Sequence, residues 1–346
     1  MDHEKRLSLL YQVAHLFYRE GKKKFEISQA VGCSPTQVAN LLQEAKDEGI
    51  VTISVQPGAL RLLQEALQRK YPFLREVVVI PSQGNHGLLR RCLGEQLKAW
   101  YERFVAEWKG SERLKVAVSG GNTVFEMVNQ LEDRDRDIEI YPAAIIGRGP
   151  TILHVDPMVN VTLLWLKSGR RDGCAHYVTI PPLEKQPGKK PSEFIRDELR
   201  AMLTRHMVKQ VYAGLAEVDV VISSLGTVEV DEHYAPHSYH TTVRLLGELG
   251  IKRDDLKKAG AVGDLSYSFM DSMGKVVRVG GLERFFLSLS LEQIRKIAAD
   301  PTKRVVVVAG GRFKREPLRA VLRGKLCNVL FTDAEGAAAV LDTERP

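Results

Sequence analysis

The chain is poor in cysteine, with 4 in 346 residues, and Cys33, Cys92, Cys174 and Cys327 form no Cys-x-x-Cys pair. That excludes a disulfide framework and a cysteine zinc site, and predicts reduced thiols. Long apolar runs are missing as well. No stretch reaches the ~18 residues that a membrane-crossing helix needs, and the opening Met-Asp-His-Glu-Lys lacks the apolar core of a secretion signal. The expected compartment is the cytoplasm, with no membrane partner. Internal repeats are absent, and the one biased stretch, Pro181–Pro191, is rich in Pro and Lys and reads as a surface loop.

What is present is an ordinary globular composition, 44% hydrophobic and 27% charged, with enough apolar material for a real core. The length exceeds one average domain and predicts two compact units. A net charge of +7 favours polyanionic partners, which is a statement about association and not about fold.

The first fifty-five residues read as three helices and a short strand. Leu7, Leu10, Tyr11, Ala14, Leu16, Phe17 and Tyr18 recur at helical spacing until Gly21 stops the run. A short amphipathic run, Phe25 to Val31, is cut by Gly32. Ser34-Pro35 then supplies an N-cap followed by proline at the first helical position. The third helix, Pro35 to Glu48, carries Val38, Leu41, Leu42 and Ala45 on one face, and Ile50 to Val55 alternates as a strand does. This unit has the size of a DNA-binding helix-turn-helix with the third helix as reader. Lys23, Ser34, Thr36, Gln37 and Asn40 are the candidate contacts to base edges and phosphates. A small helical dimerisation module is the plainer alternative.

Beyond Gln56-Pro57-Gly58 the pattern changes. Continuous Val/Ile runs at Val77–Ile80, Leu114–Val118, Ile138–Ile145, Val161–Leu166, Val218–Ser223, Arg304–Ala309 and Cys327–Thr332 predict strands buried on both faces. Helical stretches lie between them, at Leu88–Trp108, Thr123–Leu131, Glu193–Gly214, Leu291–Ala299 and Pro317–Arg323. That alternation predicts a doubly wound α/β sheet, so the expected organisation is a winged-helix-like helix-turn-helix domain at 1–57 and a large α/β domain at 58–346.

Two strand-to-helix turns in the large domain carry chemistry. In Val116–Val124 a strand runs into Ser119, Gly120, Gly121, Asn122 and Thr123 and then a helix, so backbone N–H groups and the helix dipole can hold an anion. In Val306–Lys314 the turn is Ala-Gly-Gly, with Gly310 and Gly311 and with Lys314 able to reach the same mouth at the strand ends. Asp264, in a small-residue loop, suits sugar hydroxyls, and Arg148 between two glycines is a lesser phosphate candidate. For each there is a structural alternative: an empty tight turn, a solvated lysine, an aspartate capping its own backbone. His233, His237 and His240 raise a metal site, but Pro236 breaks the helix that would align them. No metal, cofactor or catalytic residue is called for.

Taken together, four blocks resemble the SorC family of sugar-binding transcriptional regulators. They are Ala14–Val55 with Glu-Ile-Ser-Gln-Ala-Val-Gly and Glu-Gly-Ile-Val, Ala117–Thr123, Gly260–Asp264, and Ala309–Asp333 with Lys314, Asn328-Val-Leu and Thr332-Asp333. The resemblance implies an effector domain of the sugar-phosphate isomerase and deaminase type, assembled as homodimers or homotetramers. It implies that Gly120, Gly121, Asn122, Thr123 and Lys314 face a phosphate and Asp264 a sugar, with operator DNA and a phosphorylated sugar effector as partners. Two rivals stand beside it: a sugar-phosphate isomerase or deaminase with an accessory module, which needs a placed acid–base pair, and a DNA-bound repressor without effector control.

Overall fold

The computed structural model describes the chain apart from residues 1–2, 52–56, 111–112, 135–136, 146–155, 169–173, 177–187, 189–192, 194–196, 198–200, 202–204, 230–245, 247–250, 281–286 and 343–346. Arg148, the His233/His237/His240 segment, the expected strand beyond Val51 and nearly all of the Pro/Lys loop lie outside the described residues.

Three helices open the fold: α1 (His3–Tyr18), α2 (Lys24–Val31) and α3 (Pro35–Asp47). Gly32, in the left-handed region at φ 71°, ends α2, where a side chain would be strained. Ser34 Oγ accepts from the Gln37 N–H at 3.1 Å and Gln37 Oε1 from the Ser34 N–H at 2.9 Å, so α3 starts on a reciprocal cap with Pro35 at its first position. Leu10, Val13, Ile27, Val38, Leu41 and Leu42 close a small core of their own, each fully buried aliphatic contributing about 1.5–3 kcal/mol.

Helix α4 (Pro57–Lys70) leads into the second unit. There β1 (Glu76–Ile80), α5 (His86–Glu107), β2 (Leu114–Val118), α6 (Asn122–Gln130), β3 (Ile138–Pro142), β4 (Ala144–Ile145), α7 (Pro157–Lys167), β5 (Cys174–Ala175) and β6 (Val220–Ser224) follow in order. After them come β7 (Gly263–Leu265), β8 (Ser268–Met270), β9 (Leu287–Ser288), β10 (Arg304–Val308) and β11 (Val329–Asp333), with helices at Leu291–Ala299, Arg315–Arg323 and Ala334–Leu341. Among the described residues the sheet order is β1-β11-β10-β6-β2-β3-β5, every pair parallel.

The period of two along each strand divides the core. Val305, Val307, Ala117, Val221 and Leu330 face one apolar layer. Val306, Val308, Val116, Val118, Ile222 and Phe331 face the other. Helices cover both faces, with α5, α6 and α7 on the second, so the sheet is doubly wound as its continuous apolar strands predict.

One expected strand is a helix. Val161–Leu166 belongs to α7, which Asp156 caps and Pro157 begins. Val161 and Leu164 are buried while Leu166 is 58% exposed, a spacing of three and not of two. A six-residue apolar run fits either period, and the Asp-Pro start decides it. The expected single strand Ile138–Ile145 is also divided: its last two residues form β4, which pairs antiparallel with β9 apart from the main sheet.

Candidate functional site

On the N-terminal unit Lys23, Ser34, Thr36, Gln37 and Asn40 are all exposed. Ser34 and Gln37 already serve as mutual caps, which leaves the Gln37 amide NH2 as its free donor. Lys23 lies at the start of α2, its backbone N–H donating to Glu26 Oε2 at 2.7 Å. Glu44, one of two acidic residues of the reader helix with Asp47, is engaged by the Arg6 guanidinium, whose Nε donates to Oε1 at 2.8 Å. Arg6 holds the Glu44 carboxyl below its usual range.

The cavity lies at the carboxyl ends of β2, β6 and β10, where ligands of open parallel sheets bind. Its volume is about 130 Å³, well above the ~10–15 Å³ that a single water needs, so it is large enough for a small organic ligand. Ser119, Gly120, Gly121, Asn122, Thr123, Asp264, Gly310 and Lys314 all line it. Gly311 does not: its N–H donates to Asp333 Oδ1 at 2.8 Å.

The first turn is stitched to β6. The Ser224 N–H donates to Ser119 Oγ at 3.2 Å and Ser224 Oγ donates to the Gly120 carbonyl at 2.9 Å. Gly121 sits at φ 110°, and a Cβ there would lie 2.1 Å from Ser224 Oγ, so glycine is required twice over. α6 begins directly after it with no side-chain cap, and Asn122 and Thr123 at that start line the cavity, so uncapped helix-start N–H groups of the kind that bind anions lie at its wall.

Lys314 projects from the turn Arg312–Lys314 and its Nζ donates to the Leu225 carbonyl. Desolvation holds the amine down to about 8, while Asp264 pulls it up. Asp264 is 8% exposed. Burial raises its pKa, opposed by Lys314 and by the Tyr267 N–H, which donates to Oδ2 at 3.1 Å. Its carboxylate rests on Gly226, where a Cβ would meet Oδ1 at 1.9 Å. Between β7 and β8 both Ser266 (φ 48°) and Tyr267 (φ 65°) take left-handed backbone without being glycine. Such strain persists where surroundings impose it and concentrates at ligand sites.

His86, Arg90, Ser224, Tyr267 and Arg253 also line the cavity, and none was singled out in the sequence. The usable signal for His86 and Arg90 is Asn85-His86-Gly87 shortly after the Val77–Ile80 run, a strand-to-helix junction like the two glycine turns. Conversely, Asn328, part of the family pattern, is structural. Its Oδ1 accepts from the Val305 N–H at 2.9 Å, and its Nδ2 donates to the Ala298 carbonyl at 2.8 Å. Among the described residues no group of His, Cys, Asp and Glu could hold a metal ion, and no helix is long and apolar enough to cross a membrane.

Comparison with known proteins agrees with this architecture. The sugar-binding domain family Sugar-bind matches residues 186–342. The sorbitol operon regulator of Klebsiella pneumoniae is 24% identical over 344 residues, covering 99% of this chain and 100% of its own. The deoxyribonucleoside regulator of Bacillus subtilis (strain 168) is 25% identical over 351 residues, covering 99% of each. The crystal structure of full-length SorC from Klebsiella pneumoniae superposes with a TM-score of 0.60 at 22% identity, over 98% of this chain and 100% of that one. These relatives are named as regulators and not as enzymes.

Proposed function

We propose that the chain, which belongs to the SorC family of sugar-binding transcriptional regulators, binds operator DNA through residues 1–57 and senses a phosphorylated sugar through residues 58–346. The observation that carries this reading is that the Ser119–Thr123 turn, Lys314 and Asp264 line one and the same cavity. A phosphoryl group seats at the α6 start, where N–H groups and the Lys314 charge meet it. The sugar hydroxyls lie toward Asp264. On the DNA side, Gln37 and Asn40 read base edges while Lys23 neutralises phosphate. One reader helix buries too little surface for high affinity, so the protein acts in the cytoplasm as a homodimer or homotetramer on a two-half-site operator.

The test has two arms. Thermal unfolding against a panel of sugar phosphates should find a member that stabilises the protein by about 2.7 kcal/mol at about 100 times its dissociation constant. Fluorescence anisotropy with DNA from the protein's own promoter region should show specific, salt-sensitive binding that this ligand alters. No specific DNA binding sinks the regulator reading, and DNA binding indifferent to every sugar phosphate sinks the effector reading.

A further inference from the structure

The sequence points to two glycine turns as the anion site, but the structure brings a third element to the same mouth. Helix α5 packs on both: Gly94 abuts Glu126 and Met127 of α6, and Leu89 and Leu93 lie against Gly310. Its own first amides are occupied, because Asn85 Oδ1 accepts from the Gly87 and Leu88 N–H groups at 2.7 and 3.1 Å. What α5 offers is therefore side chains. His86 and Arg90, four residues apart, share a helix face, and both line the cavity.

Each brings a buried polar atom with no partner among the described residues, His86 Nε2 and Arg90 Nε. An unsatisfied buried donor costs free energy and persists in a folded protein only with a reason, of which ligand binding is one. The His86 ring is held in place by Phe313, with centroids 5.2 Å apart. Phe313 precedes Lys314 on the same short turn. Desolvation and the nearby Arg90 and Lys314 charges keep the imidazole neutral, at about 4. Two cations and a neutral imidazole thus line the cavity that the α6 start also lines, and among the described residues Asp333 acts on His86 and Glu126 on Arg90.

We propose that His86 and Arg90 complete the phosphate-binding pole, donating from His86 Nε2 and Arg90 Nε to phosphoryl oxygens that the α6 start and Lys314 also face. The inference rests on the effector reading above and sharpens it: the cavity takes a dianionic phosphate monoester in preference to a monoanionic sugar acid or an uncharged sugar. A phosphoryl group has oxygens enough for the α6 amides, Lys314, Arg90 and His86 together, whereas a carboxylate has two.

The probe is inorganic phosphate, titrated into the full-length protein at constant ionic strength while thermal unfolding is followed, with acetate as the monoanionic comparison. The parent should show saturable stabilisation by phosphate and none by acetate. His86→Phe keeps the ring against Phe313 and Arg90→Met keeps the apolar stem. Each should need at least tenfold more phosphate for the same shift, with Arg90→Lys recovering part of the loss. Without phosphate both variants should melt at or above the parent's temperature, because an unsatisfied polar atom is gone. A merely structural role gives the reverse, a lower phosphate-free melting temperature with an unchanged phosphate response, and would overturn the proposal. A parent with no saturable phosphate response, or one equal for acetate, overturns it too. The sugar-phosphate panel on the parent is scored separately. A positive panel with unchanged phosphate response in both variants removes only the role of α5.

Discussion

Replacing Lys314 by methionine tests the cavity electrostatics from two sides. The amine stands at about 8 in the folded protein against an ordinary 10.5. At about 1.4 kcal/mol per pH unit the charged amine at neutral pH costs the fold about 3 kcal/mol, less where the cavity mouth admits water. Methionine removes that cost but leaves the Leu225 carbonyl without its donor, worth about 1–3 kcal/mol. The two offset, so the unliganded Lys314→Met protein should melt within a few degrees of the parent at pH 7. Its response to the sugar phosphate should weaken by about ten- to a hundredfold in effector concentration, the equivalent of a charge-assisted hydrogen bond of about 1.5–3 kcal/mol. The pH dependence follows from the direction of the shift. Because the folded value is below the unfolded one, the unfolded chain binds more protons between about pH 8 and 10.5. Parent stability therefore gains over the variant as pH rises through that window, and their difference is constant below it. A bound anion raises the amine again, so above about pH 8 the parent must take up a proton to bind effector. Its affinity should fall by up to about tenfold per pH unit while the variant's stays flat. The phosphoryl group is already fully ionised there and adds no slope. The assay is effector titration by anisotropy on one operator at one salt concentration, from pH 7 to 10, with melts in the same buffers. A Lys314→Met protein with the parent's effector response, or a parent response unchanged above pH 8, refutes the reasoning.

How much of this was legible depended on whether a local rule or a tertiary meeting set the feature. The α3 start was readable because Ser34, Pro35 and Gln37 act on one another within three residues. The buried strands were readable because burial on both faces leaves a continuous apolar run, as in β10 with Arg-Val-Val-Val-Val. That same signal failed at α7, where a helix between the sheet and its neighbours is equally apolar over six residues and only Asp156-Pro157 marks it. β7 and β8 leave no pattern in the sequence because each is three residues long, and their hairpin turn uses Ser266 and Tyr267 in place of the glycine or asparagine that marks such turns. In the cavity, the glycine turns announced themselves by composition. His86 and Arg90 did not, because their position depends on Gly94 letting α5 close onto α6 thirty residues away. The role of Gly311 differs for a similar reason. Its N–H is taken by Asp333, a residue from β11, which no spacing within the turn reveals.

Three further outcomes follow from named contacts. Gly121→Ala places a methyl 2.1 Å from Ser224 Oγ at φ 110°. It should destabilise the protein by about 1–3 kcal/mol in a chemical melt and abolish the effector response, while operator binding below the melting point persists. Gln37→Ala and Asn40→Ala should each cost about 1–3 kcal/mol of discrimination between operator and random DNA, whereas Lys23→Ala should weaken both equally in the same titrations and flatten the salt slope. The last concerns Glu44 on the reader helix. Glu44 would repel DNA phosphates, but Arg6 from α1 occupies it through both carboxylate oxygens and leaves α3 locally neutral. Arg6→Met should then expose the carboxylate and weaken operator and random DNA alike, most strongly at low salt where its field reaches furthest. Arg6→Met combined with Glu44→Gln should restore binding, since it removes the charge that Arg6 was masking. If Arg6 instead contacts phosphate itself, the double variant will bind as poorly as Arg6→Met alone, and the masking argument fails.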